Sequence, residues 1–297
     1  MPLFPPISVE LSTGGRPLRL HLVSTGGVAV KTRYREARFR GIPALLDFMA
    51  DPHFTDWLPI WVLVIEHPEG VFLVDTGENA RVCDPDYFAS SGFIPRWFDT
   101  RQFHFKVTRA EEIDRQLEAL SIPAASITKI FLTHLHFDHT DGLSHFPGVP
   151  VLLNRLEWEK PFGTLPKLLP AGFNPSLVGV TSPYDVFERT AFLTGARDIL
   201  FVHTPGHTYG HTSVLIHTDT GPVFFAADIC YSAAQLEQRR FTGANASHRL
   251  AHDTYTRVRA FAQKHPTVFL PSHDPGAGER LQRGATISLP TPSQPYS

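Results

Sequence analysis

Cysteine and methionine are scarce in this chain of 297 residues, at two each. The cysteines, Cys83 and Cys230, are too few for a disulfide framework, which suits a reducing compartment. An excess of either charge is also missing. Lys and Arg number 27 against 29 Asp and Glu, a formal net charge of −2, so no basic field argues for a nucleic-acid partner. No apolar run reaches the roughly 18 residues a membrane-spanning helix needs. The opening MPLFPPISVE has no positive flank and no long apolar core, so it does not read as a secretory signal. A soluble cytoplasmic protein is expected. With 42% hydrophobic residues the chain can bury a large core without staples. Its length suits one large domain or two small ones.

Two residue types are abundant, with 16 His and 23 Phe. The histidines have a focus in FLTHLHFDHTDG, Phe131 to Gly142. The apolar run from Ile127 to Leu132 reads as a buried strand that empties into His134, His136, Asp138 and His139. Imidazole and carboxylate are ligands suited to zinc, manganese or iron. Strand alternation sends His134 and His136 to one side, Leu135 and Phe137 to the other. Three His and one Asp within six residues crowd a single ion. The spacing therefore points to two metals side by side, His134 and His136 on one, Asp138 and His139 on the other. A His-rich surface loop is the bland alternative, and four potential ligands at one strand end speak against it.

Along the chain, residues 1 to 17 are expected to begin irregular. Leu18 to Ser24 alternates as a strand, and Gly26-Gly27 is expected to turn the chain into Val28 to Lys31. Ile42 to Met49 reads as a helical turn or two. Phe48, Met49, Phe54 and Trp57 would make a sticky surface, so they are expected to cover a pocket or a subunit contact, the latter in a homodimer. Ile60 to Glu66 and Val71 to Val74 form a hairpin around His67 to Gly70, ending in Asp75. Thr108 to Leu120 reads as one amphipathic helix with Thr108 as N-cap and Glu111 at its third position. Asn154 to Lys160 is a short helix. Residues 161 to 190 show no clear period, as in a lid or binding loop.

Ile199 to Val202 then leads into His203-Thr204-Pro205-Gly206-His207. A second hairpin, Thr212 to Thr218 and Val223 to Ala227, ends in Asp228. Ser247 to Lys264 is a long helix, and Thr267 to Leu270 is a strand running into Pro271-Ser272-His273-Asp274. The tail from about Gly284 has a disordered composition. Leu63 to Asp75 echoes Leu215 to Asp228 with one insertion, so two similar hairpins each aim an Asp at one rim. Two such β-halves flanked by helices would pack face to face.

The run His134-Leu135-His136-Phe137-Asp138-His139 matches the signature H-x-H-x-D-H, and by it the chain resembles the metallo-β-lactamase superfamily over roughly Pro59 to Pro275. The resemblance implies a single α/β (α+β) domain, 1–297, arranged as a four-layer αββα sandwich. It implies two divalent ions, zinc before manganese, iron or cobalt. The first would take His134, His136 and His207. The second would take Asp138, His139 and His273, with Asp228 bridging the pair. Asp75 is expected to orient the His loop rather than to bind an ion. His145, His203, His211 and His217 are expected to be surface or hydrogen-bonded histidines, and Cys230 to pack away from the site.

Tyr231 follows Asp228 by three, and D-x-x-Y with a His-Asp pair such as His273-Asp274 resembles the N-acyl-homoserine lactonase group. That resemblance implies catalytic roles for Asp228 and Tyr231, the hydroxyl lying by the substrate carbonyl. The alternative, Tyr231 capping a helix that starts near Ser232, stays open here. The leading expectation is a lactonase or carboxylic-ester hydrolase acting on a small molecule, with quorum quenching as the implied role. A phosphotriesterase-like or thioester (glyoxalase-II-like) hydrolase is the alternative within enzymes. A non-catalytic metal-binding module is the alternative outside them.

Overall fold

The computed structural model describes residues 3–39 and 41–289. Its first sheet holds β1 (Ile7–Thr13), β2 (Arg16–Val30), β3 (Leu58–His67), β4 (Gly70–Val74), β5 (Phe103–Lys106), β6 (Ile127–Leu132), β7 (Val151–Asn154) and β8 (Ser176–Val178). The strand order is β1-β2-β3-β4-β6-β7-β8, with β5 pairing beside β2. The second sheet holds β9 (Ser182–Tyr184), β10 (Phe187–Phe192), β11 (Ile199–His203), β12 (Thr212–Ile216), β13 (Val223–Ala227) and β14 (Val268–Pro271), in the order β14-β13-β12-β11-β10-β9.

The middle strands are apolar along nearly their whole length because both faces are covered. In β13, Val223, Phe225 and Ala227 join Leu63, Val74, Phe131 and Leu270 in the layer between the sheets. Phe224 and Ala226 alternate outward against Tyr255, Val258 and Phe261 of the helix His248–Lys264. On the other outer face, Val64, Leu73 and Ile130 pack on Ile113 and Leu117 of the helix Ile113–Ala119. Helix, sheet, sheet, helix is the expected αββα sandwich.

Several local expectations change. Residues 7–13 form β1 rather than irregular chain. Gly26-Gly27 does not turn the chain. It is a bulge inside the continuous β2, where Gly26 takes φ 121 and a Cβ would meet the Lys106 carbonyl at 2.9 Å. The capping box at Thr108 and Glu111 is present, but its turn is a 3₁₀ segment, Arg109–Glu111, and Glu112 is extended before the α-helix begins. Glu112 leaves the helix path because its carboxylate accepts from Ala80 N–H and meets His145. The 161 to 190 insert is no single loop, since it contributes β8, β9 and the start of β10. Within 284–289, Ile287 is buried, its N–H donating to the Thr267 carbonyl, and Leu289 packs on the same core, while the other residues there are exposed. The rest of the expected tail, 290–297, lies outside the described residues. Among the described residues no helix is long and apolar enough to cross a membrane.

Candidate metal centre

Strands β4 and β6, and likewise β13 and β14, run parallel, so their C-terminal ends open on a common rim. Asp75 follows β4, Thr133 and His134 follow β6, Asp228 follows β13, and Ser272 and His273 follow β14. All seven expected ligands meet there. His134 Nε2 and His207 Nε2 lie 3.0 and 2.9 Å from His136 Nδ1. The Asp228 carboxylate has His139 Nε2 at 3.3 Å and His207 Nε2 and His273 Nε2 each at 3.4 Å. His273 Nε2 also stands 3.4 Å from Asp138 Oδ2. Among the described residues, three donor groups at this rim could each hold a cation: His134, His136 and His207; His134, His139 and Asp228; Asp138, His139 and His273. A fourth, Glu112, Asp114 and His145, lies apart and is already paired with Arg109.

The outward hydrogen bonds fix which ring nitrogen carries a lone pair. His136 Nε2–H donates to the Phe162 carbonyl at 2.9 Å, leaving Nδ1 free to face its neighbours. His273 Nδ1–H donates to the Pro59 carbonyl and His139 Nδ1–H to Asp75 Oδ2, both at 2.8 Å. Both Nε2 lone pairs therefore point at carboxylates, an arrangement that repels unless a cation or proton sits between. His139 Nε2 and Asp228 Oδ1 are buried without a hydrogen-bond partner among the described residues. Neutral imidazoles, ionised carboxylates and orphaned buried lone pairs are the donor set a divalent cation requires.

Electrostatics divide the site. Burial, then the neighbouring imidazoles, holds His134 and His207 well below the usual histidine range. Burial also acts to lower His139 and His273, but there the carboxylates prevail. Asp228, Asp75 and Asp138 raise His139 well above that range, and Asp228 with Asp138 raises His273 to about 10. For Asp228 burial acts upward, yet His273 and His139 hold the carboxyl well below its ordinary value. One group thus favours neutral ligands, and the other holds protons that a cation would displace.

Sequence reasoning missed three supports. Glu157, fully buried after β7, accepts from Leu135 N–H, Thr208 Oγ1–H and Gly210 N–H, tying the His134 loop to the His207 loop. His211, expected only to be hydrogen-bonded, accepts the Asp228 N–H on Nε2 while its Nδ1–H donates to the Thr204 carbonyl. Phe162 presents the carbonyl for His136, and Gly163 beside it lies so close that a Cβ would stand 2.6 Å from His136 Nε2. An apolar stretch with one Gly signals none of this. Asp75 behaves as expected, accepting from Thr133 N–H, Thr133 Oγ1–H and His139. Cys230 is buried in the outer core of the second sheet.

Tyr231 is buried, and its ring stacks on His273 at 5.0 Å between centroids. It caps no helix, because Ser232 is the N-cap of Ala233–Glu237. Burial, then Tyr34 and Asp228, pushes the phenol well above its ordinary range, so it stays a proton donor. Asp274 turns away to Ala233 N–H, Gly276 N–H and Arg280. A cavity of about 670 Å³ opens from His136, Asp228 and Tyr231. Val28, Phe48, Phe98 and Phe105 line one part of it, and Phe162 and Leu165 another. Phe48 and the start of the insert thus wall the pocket, whereas Phe54 stacks on His104.

A two-sheet sandwich with this cluster on its rim defines a metal-dependent hydrolase. The metallo-beta-lactamase superfamily model matches residues 55–273, and the chain belongs to that superfamily. It is 29% identical over 219 residues to an N-acyl homoserine lactonase of a Bacillus species, covering 73% of this chain and 82% of that protein. The N-acyl homoserine lactonase AttM of Agrobacterium fabrum is 26% identical over 241 residues, covering 76% and 86%. The solved structure of an N-acyl homoserine lactone hydrolase with N-hexanoyl-L-homoserine bound superposes with TM-score 0.69 at 21% identity, covering 86% of this chain and 92% of that one. AidC, a dizinc quorum-quenching lactonase, gives TM-score 0.60 at 17% identity, covering 91% of each chain.

Proposed function

We propose that this hydrolase is a dinuclear lactonase that opens N-acyl-homoserine lactones, a quorum-quenching activity. The observation that carries the reading is the convergence of three imidazole Nε2 atoms on the Asp228 carboxylate beside an apolar cavity. The names of the relatives support the substrate class. His134, His136 and His207 would hold one ion and Asp138, His139 and His273 the other, with Asp228 shared. Zinc suits the His-rich donors. Both β-halves supply donors to one centre, which supports reading the chain as one domain.

Two ions held there would supply an acidified water and a Lewis acid for the carbonyl oxygen. Tyr231, kept protonated by burial, donates to the oxygen on which charge develops. Asp228 can carry a proton toward the leaving alkoxide. In a lactone that alkoxide stays tethered, so the product is a hydroxy acid. The cavity's aromatic and aliphatic walls take the acyl chain, each buried methylene contributing about 0.8 kcal/mol.

The test is a hydrolysis screen of metal-loaded protein on acyl-homoserine lactones, aryl esters, thioesters and phosphotriesters. Lactones should be turned over with the highest kcat/KM. Efficient phosphotriester cleavage without lactone opening would replace this reading with the phosphotriesterase alternative.

A further inference from the structure

Asp99 lies in the last turn of the helix Phe93–Gln102 and lines the cavity that leads to the metal centre. It is 8% exposed. Among the described residues, other buried carboxyl groups each make at least one hydrogen bond or ion pair, although Glu78 Oε2 and Asp228 Oδ1 lack a hydrogen bond. Asp51 accepts from Thr32, Arg33 and His53; Asp198 meets Arg16 and His67; Asp274 meets Arg280. The Asp99 carboxyl has no such hydrogen bond or ion pair among them. The cavity wall beside it is largely apolar: Phe98 packs edge-on to Phe48 at 6.0 Å and to Phe103 at 6.5 Å, Val30 lines the same cavity, and the Tyr34 phenol is a polar group that feels the Asp99 charge.

A helix end does not explain an acid here, since a negative charge in the last turn opposes the helix dipole. The carboxyl oxygens take no partner from the described residues and open on the cavity, and a few convergent polar groups in an apolar pocket are what orient ligands. We propose that Asp99 is a specificity-determining residue that accepts a hydrogen bond from a hydroxyl or N–H carried on the apolar tail of the substrate. The inference rests on reading the site as a lactone or ester hydrolase. Burial, then the charge of Asp138, raises the carboxyl to about 7. A carboxyl offers an acceptor oxygen in either protonation state, so recognition does not require ionisation.

The experiment compares metal-loaded wild type, Asp99→Leu and Asp99→Asn on acyl-homoserine lactones of one chain length. One substrate is unsubstituted, and the others carry a single hydroxyl walked along the chain. Wild type should favour one hydroxylated isomer by about 10- to 100-fold in kcat/KM, the span set by a hydrogen bond to an ionisable group. Asp99→Leu should bring that ratio near one, and Asp99→Asn, which retains an acceptor oxygen, should keep part of it. Calorimetry with the ring-opened products should show the same ratios in Kd, and circular dichroism checks that each variant folds. Lactone opening with no preference among isomers in wild type, or an unchanged ratio in Asp99→Leu, overturns the role of Asp99 and leaves the lactonase reading intact. If no lactone is opened, the lactonase reading fails and the product affinities alone decide Asp99.

Discussion

The hairpins β3–β4 and β12–β13 are built alike and end differently. Each is antiparallel, and its second strand takes a parallel neighbour, β6 beside β4 and β14 beside β13. Each leaves its strand through a left-handed residue, φ 63 at Asp75 and φ 51 at Ala227. In the first half the carboxylate sits on the bent residue itself and is spent on Thr133 and His139. In the second it sits one residue later, where it meets His139, His207 and His273 and keeps Oδ1 without a hydrogen bond. Three residues beyond stand Glu78 in the first half, buried and raised by burial and then by Asp141, and Tyr231 in the second, lining the cavity. One scaffold can therefore aim an acid at a ligand or at an ion, and a one-residue offset from the bend separates the two.

Breaking the second half should do the most damage. Asp228→Ala removes the carboxylate common to both proposed ions, so lactone turnover should fall by at least about 10³. Elemental analysis should show both ions depleted together. Tyr231→Phe should keep the fold and both ions while lowering kcat by up to about 10², less if an ion shares the oxyanion. Steady-state kinetics should place the loss in kcat more than in KM. The first half should be more tolerant: Asp75→Asn leaves every proposed ligand in place but loosens His139, weakening metal affinity by about 10- to 100-fold, measurable by chelator competition.

A further effect, on stability rather than on turnover, concerns the carboxyl that ties the halves together. Burial raises Glu157 from 4.5 to about 7 despite its hydrogen bonds. The folded chain therefore holds a proton that the unfolded chain releases between those values. The associated stability is complete below about 4.5 and is lost as pH rises to about 7. The loss should amount to about 2–4 kcal/mol. Denaturation of the metal-free protein across this window should show a shallower pH dependence in Glu157→Gln than in wild type.

Much of the comparison was legible in the sequence, because strand alternation and hairpin turns are local. The echo of Leu63–Asp75 in Leu215–Asp228, the H-x-H-x-D-H run and the hairpin-end acids all follow from short-range pattern. The αββα layering and the pairing of His207 and His273 with the central motif came from family resemblance, since they join residues far apart in sequence. Long-range supports left no local mark. Glu157 looks like one charge in a surface helix, and Phe162 acts through its carbonyl, which every residue has. Gly26-Gly27 carries a turn signal in any context, and only the approach of Lys106 and Val107 makes it a bulge.

The central claim is that Asp228 is shared by two ions while Asp75 holds none. Metal content of wild type, Asp75→Asn and Asp228→Ala, each purified metal-replete, tests it directly. The expected values are close to two ions per chain for wild type and, at saturating metal, for Asp75→Asn, and below one for Asp228→Ala. One ion or none in wild type, or two retained in Asp228→Ala, would contradict it.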